Sequence, residues 1–200
     1  MACGDFSQLG GTQGTNFFQF SYIDTGIVSR FADDFTLAQS ATFGTIEWWG
    51  VAHAGGPFRP EHTGFGIEFF EAAGNGAPGT LLRQHSIPRA SIAFQADQFP
   101  DGSELYKYSV TLPTTLDLSA GTNYLLSIYA ESSAANNAWG WQLADIAGGS
   151  WQQHGSLGTN WQSVPGSNKA YVLTPIPAPG AFLLGLIGFA GVRAVRRRLP

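Results

Sequence analysis

Residues 106–112 read YKYSVTL. Tyr106, Tyr108, Val110 and Leu112 fall on one side of an extended chain, and Lys107, Ser109 and Thr111 on the other. Successive side chains of a strand point to opposite faces. The alternation therefore predicts a strand with one face in a core and the other toward water. The same pattern recurs in WGWQL (139–143) and TNYLLSIYA (122–130), and short aromatic or β-branched runs occur at TIEWWGV (45–51), GFGIEFFEA (64–72) and KAYVLTP (169–175). Between them stand turn-forming stretches such as AAGNGAPGT (72–80), QFPDGSE (98–104) and LSAGTN (118–123). Gly supplies positive φ there, Pro presets φ, and Asn or Asp tolerates the left-handed region. No stretch before residue 179 holds a helical period over three turns. The expected fold is one antiparallel β-sandwich over residues 15–174, behind a flexible N-terminus of residues 1–14.

Composition fits that class. Of the 200 residues 26 are Gly, aromatics make up 14%, and charged residues reach only 12%, about half the usual ~25%. The charge is also unevenly placed. Positions 1–179 hold six basic and all fourteen acidic residues, a balance of −8, whereas Arg193, Arg196, Arg197 and Arg198 give the end +4. An acidic body lacks the positive footprint that phosphate recognition needs, so nucleic acid is not the expected partner. The single cysteine, Cys3, excludes an intrachain disulfide and a multi-cysteine zinc site.

Several pieces of the body together resemble a group of exported bacterial β-sandwich domains. They are FADDFTL (31–37), TIEWWG (45–50), IEFFEAAGNGAPGTLL (67–82), YKYSVTLPTTLDLSAGTNYLLSIYA (106–130) and AWGWQL (138–143). The resemblance implies a jelly-roll-like sandwich and assigns no chemistry.

The chain ends PIPAPGAFLLGLIGFAGVRAVRRRLP (175–200). Pro175, Pro177 and Pro179 force an extended linker over 175–180. Ala181, Phe182, Leu183, Leu184, Gly185, Leu186, Ile187, Gly188, Phe189, Ala190, Gly191 and Val192 follow as an apolar run. With its flanks, and with Arg193 snorkelling, the segment 181–195 approaches the ~20 residues of a transmembrane helix. Arg196, Arg197 and Arg198 then form a cytoplasmic basic stop in the tail 196–200, by the positive-inside rule. This layout resembles the PEP-CTERM sorting signal of Gram-negative bacteria. The resemblance implies recognition by exosortase, an integral-membrane protease, and an inner-membrane-anchored precursor delivered to the cell surface or extracellular matrix, often beside exopolysaccharide. The motif departs at one place: Pro177-Ala178-Pro179 stands where the family has Pro-Glu-Pro. The tail is then either a processed signal or a permanent anchor. No leader pattern of basic and then apolar residues opens the sequence, so export implies a leader upstream of Met1; Cys3 is then either an incidental thiol or a lipid-anchored residue at a lost cleavage site.

For the body, Trp151 and Trp161 lie in the Gly/Ser/Asn-rich stretch GGSWQQHGSLGTNWQS (148–163) and are the candidates for stacking on sugar rings. The other reading makes them hairpin anchors. Trp48 and Trp49 are consecutive, so one faces the core and the other faces out. Asp33 and Asp34 are either Ca²⁺ ligands, oxygen being calcium's preferred donor, or a strand start that satisfies loop amides. Glu47 and Glu68 lie in adjacent candidate strands and offer a carboxylate pair of the kind glycosidases use. His53 and His62 share a loop with Glu61 without a metal-ligand spacing, and loop histidines of this kind are expected to be solvated. No phosphate-binding loop and no Gly-x-Ser-x-Gly elbow occur. The expected function is that of a non-enzymatic surface or matrix protein binding polysaccharide; the alternative is a glycan-active enzyme, carboxylate-based or Ca²⁺-dependent.

Overall fold

In a computed structural model of the chain the described residues are 6–8, 18–23, 28–52, 55–98, 104–134, 138–144, 148–155 and 160–177. They form fourteen strands. In chain order these are β1 (Phe6–Gln8), β2 (Phe18–Phe20), β3 (Tyr22–Ile23), β4 (Val28–Thr36), β5 (Ala41–Ala52), β6 (His62–Ala72) and β7 (Pro78–Pro88). After a single 3-10 turn at Arg89–Ser91 come β8 (Ala93–Gln98), β9 (Glu104–Leu118), β10 (Asn123–Ser132), β11 (Trp139–Gln142), β12 (Gly149–Gly155), β13 (Gln162–Pro165) and β14 (Tyr171–Pro175). Among the described residues no helix is long and apolar enough to cross a membrane. The expected membrane segment 181–195, the basic tail, and Ala178 and Pro179 of the sorting motif lie outside them.

The strands make two seven-stranded sheets. In the first, β8 pairs with β9 and β9 with β5. The other edge of β5 is shared end to end by β14 and β11, which carry β1 and β2 outside them. The second sheet runs β13–β12–β4–β10–β6–β7, with the two-residue β3 inserted between β4 and β10 at one end. Pairing is antiparallel except between β3 and β10. Phe6–Gln8, inside the stretch read from sequence as an N-terminal extension, pairs with Tyr171–Leu173 at a sheet edge.

The inner faces of the two sheets share one core. Phe31 and Phe35 of β4, Phe65, Ile67 and Phe69 of β6, and Leu126 and Ile128 of β10 meet Ile46 and Trp48 of β5, Tyr108 and Val110 of β9, and Trp139 of β11. Rings hold the middle. Trp48 stacks on Tyr108 at 5.5 Å between centroids, and Phe65 meets Trp139 edge-on at 4.8 Å. The polar tips of Tyr108 and Trp139 are satisfied, as buried Tyr and Trp usually are, whereas the buried Trp48 Nε1 has no hydrogen-bond partner among the described residues. The Tyr108 hydroxyl donates to the Pro57 carbonyl at 2.6 Å and accepts from Trp139 Nε1 at 3.2 Å. Truncating such a ring to Ala costs about 3–5 kcal/mol. The molecule is thus an all-β sandwich.

Candidate functional site

The alternation that sends Phe31, Ile67 and Ile128 inward sends their neighbours to the outer face of the second sheet. That face is unusually buried for a sandwich exterior. Ala32, Phe70 and Leu125 form a second, small apolar cluster there, and Trp151, Trp161 and Ala72 pack on it. Trp151 lies opposite Ala32 on β12, and Trp161 immediately precedes β13. Trp161 approaches Phe70 edge-on at 6.0 Å. The two tryptophans singled out from sequence are therefore brought to one face, each half-buried.

Beside them lies a polar cluster. Arg30 of β4 is 7% exposed and Glu68 of β6 is 4% exposed. Their strands flank β10, and the ion pair between Arg30 Nη1 and Glu68 Oε2 spans that strand. Ser127 of β10 stands opposite both Ala32 and Glu68, and its small side chain leaves room for the bridge. The Ser127 hydroxyl is fully buried, with no hydrogen-bond partner among the described residues. Arg30 Nε donates to Gln153 Oε1 at 2.6 Å. Its guanidinium lies 4.9 Å from the Trp161 ring centroid and 5.8 Å from that of Tyr129. The Tyr129 hydroxyl donates to Glu68 Oε1 at 3.3 Å and accepts from Gln84 Nε2 at 3.4 Å. Burial raises the Glu68 carboxyl above its ordinary value, opposed by the charge and hydrogen bond of Arg30.

One glycine makes this packing possible. A Cβ on Gly66 would stand 2.2 Å from the Tyr129 ring. The ring can lie over the β6 backbone only because position 66 has no side chain.

Of the other candidates, Asp34 shares this face, opposite Leu125 of β10. Asp33 points into the sandwich and Asp34 away from it, so the two carboxylates do not converge. Asp33 Oδ2 accepts the backbone N–H of Lys169 at 2.7 Å. The Lys169 ammonium, fully buried, donates to Gln19 Oε1 at 2.5 Å, to the Ser167 carbonyl at 2.5 Å and to Ser150 Oγ at 3.2 Å, and lies 4.4 Å from the Phe31 centroid. Burial raises the Asp33 carboxyl and lowers the Lys169 ammonium from their ordinary values. With its three donors engaged, Lys169 ties the segment before β14 to the second sheet. Among the described residues no three of His, Cys, Asp and Glu gather where an ion could be held.

Glu47 and Glu68 do not form a pair. β5 and β6 are consecutive but belong to opposite sheets, and both carboxylates point outward. Glu47 instead binds Lys107 Nζ at 2.8 Å. His62, expected to be solvated in a loop, opens β6 and is buried, its Nδ1 accepting the Arg59 N–H at 3.2 Å; His53 lies outside the described residues. Trp48 is in the core, and Trp49 is half-buried on the outer face of the first sheet.

Sequence reasoning missed Arg30, Tyr129, Gln153 and Ser127. The signal was present for β10: in NYLLSIYAES the positions opposite the core are Leu125, Ser127, Tyr129 and Glu131, a mixed polar and aromatic face. A family profile described as a domain of unknown function (DUF7901) matches residues 8–178, and the chain belongs to that family. No curated protein matches it.

Proposed function

We propose that this member of the DUF7901 family is an exported, non-enzymatic polysaccharide-binding protein, and that its ligand lies on the outer face of the second sheet across Trp151 and Trp161. One observation carries the reading. Two tryptophans ten residues apart in sequence lie on the same sheet face, packed from beneath by Phe70, Leu125 and Ala32. Sugar rings present flat C–H faces edged by hydroxyls. An indole held flat takes the first, and a fixed row of donors and acceptors takes the second. Arg30, Glu68, Tyr129 and Gln153 are buried and hydrogen-bonded to one another, with the exposed Gln84 at their edge, so they hold the Trp161 ring before a ligand arrives and little side-chain freedom is lost on binding.

Export is supported by residues 175–200, with their proline spacer, apolar segment and terminal arginines. In this reading the tail is a PEP-CTERM-like signal handled by an exosortase-type membrane protease, and the mature body, a jelly-roll-like sandwich, acts at the cell surface or in the extracellular matrix. Two experiments test the two halves. On a glycan array the full chain binds at least one neutral polysaccharide, and Trp151→Ala and Trp161→Ala each weaken that binding tenfold or more; no binding, or binding undiminished by both substitutions, contradicts the assignment. Cell fractionation with and without residues 175–200 finds surface protein only when the tail is present; cytosolic full-length protein contradicts export.

A further inference from the structure

The outer face of the first sheet carries a second arrangement of the same kind, built on Trp49. Trp49, Lys107 and Gln95 lie abreast on β5, β9 and β8. Trp49 Nε1 donates to Asp97 Oδ2 at 3.2 Å. The Lys107 ammonium lies 5.4 Å from the ring centroid of Trp49 and is itself held by Glu47 Oε1 at 2.8 Å. The indole is thus fixed by a hydrogen bond at its edge and a cation at its ring, although it packs into no core. The fastening of this half-buried ring lowers the entropy a ligand must remove. Around the ring stand hydroxyl, amide, carboxylate and ammonium groups of Ser109, Gln95, Asp97, Glu47 and Lys107. Their charges nearly cancel and the single cation is already paired, so the face matches an uncharged, hydroxyl-rich ligand and repels a polyanion.

We infer that Trp49, with Asp97, Lys107 and Gln95, forms a second binding site for neutral polysaccharide on the face opposite Trp151 and Trp161, making the protein a bivalent cross-linker of polysaccharide chains. This rests on the proposed function above. The two platforms point in opposite directions from sheets packed about 10 Å apart. A chain lying across one face cannot reach the other without bending round a sheet edge, so two chains are held back to back. Bivalent attachment to a polymer also raises avidity well beyond that of either site.

The test uses the full chain in detergent, in native gels containing soluble β-glucan, xylan, galactomannan or dextran. With the polysaccharide that retards it, the parent also raises light scattering and viscosity of the polymer solution. Trp49→Ala and Trp161→Ala each keep partial retardation, lower avidity tenfold or more and abolish the rise in scattering. The double substitution migrates freely, and Trp49→Phe, which keeps a ring, retains cross-linking. Circular dichroism confirms folding of each variant. Retardation and scattering unchanged in Trp49→Ala, with both lost in Trp161→Ala, overturn bivalency and leave the proposed function standing. No retardation of the parent by any polysaccharide overturns both.

Discussion

The guanidinium of Arg30 lies 4.9 Å from the centroid of the Trp161 ring while its Nη1 donates to Glu68. One buried cation thus joins an aromatic platform to a carboxylate two strands away. A cation against an indole contributes about 0.5–2 kcal/mol, more when desolvated. The ion pair alone does not explain why the charges are here, since a buried pair often stabilises no better than apolar packing. Its use is to hold Trp161 and Tyr129 in place.

Arg30→Met leaves Glu68 buried without its cation. It is expected to cost about 3–5 kcal/mol in chemical denaturation. Adding Glu68→Leu to Arg30→Met recovers most of that loss in stability while polysaccharide binding stays impaired. Recovery of both would assign the pair a purely structural role.

Gly66→Ala places a Cβ where the Tyr129 ring lies. Overpacking of this kind costs about 1–3 kcal/mol. Because the displaced ring belongs to the proposed binding face, affinity is expected to fall as well. Gly66→Ala combined with Tyr129→Ala removes the clash and restores part of the stability without restoring affinity, as thermal melts and gel retardation together would show.

Asp33 gives the pH dependence. Burial raises its folded-state value above the ordinary 3.8, so the folded protein holds this proton more tightly than the unfolded chain. The resulting stability is fully present below about pH 4 and is lost as pH rises through the raised value. Asp33→Asn keeps an acceptor for the Lys169 N–H and removes the titration. Its stability relative to the parent is expected to rise from about pH 4 to about pH 8 in denaturation curves. A flat difference would mean that Asp33 titrates normally. The Lys169 ammonium, lowered by burial from its ordinary 10.5, acts in a higher window, losing stability as pH falls from about 10 toward its folded value.

The sandwich was legible wherever one strand face is buried and the other wet. In YKYSVTL, Tyr108, Val110 and Leu112 are core residues while Lys107 and Ser109 remain partly exposed. β4 defeats that logic, because Val28 to Asp33 are buried on both faces and charged residues interrupt the pattern. β7 defeats it the other way, since as an edge strand it is exposed over most of its length. Trp151 and Trp161 could be picked from their Gly- and Ser-rich surroundings. The Arg30–Glu68 bridge could not, because it exists only once β10 is placed between β4 and β6. The same register argument separates Glu47 from Glu68: neighbours in strand order, they were assigned to opposite sheets by the crossover between β5 and β6.

The most direct measurement follows the six indole N–H signals of the full chain by NMR during titration with a neutral polysaccharide. The account predicts that the Trp151 and Trp161 signals shift and saturate together, while those of the buried Trp48, Trp139 and Trp141 stay in place. Binding that leaves Trp151 and Trp161 unmoved would contradict it.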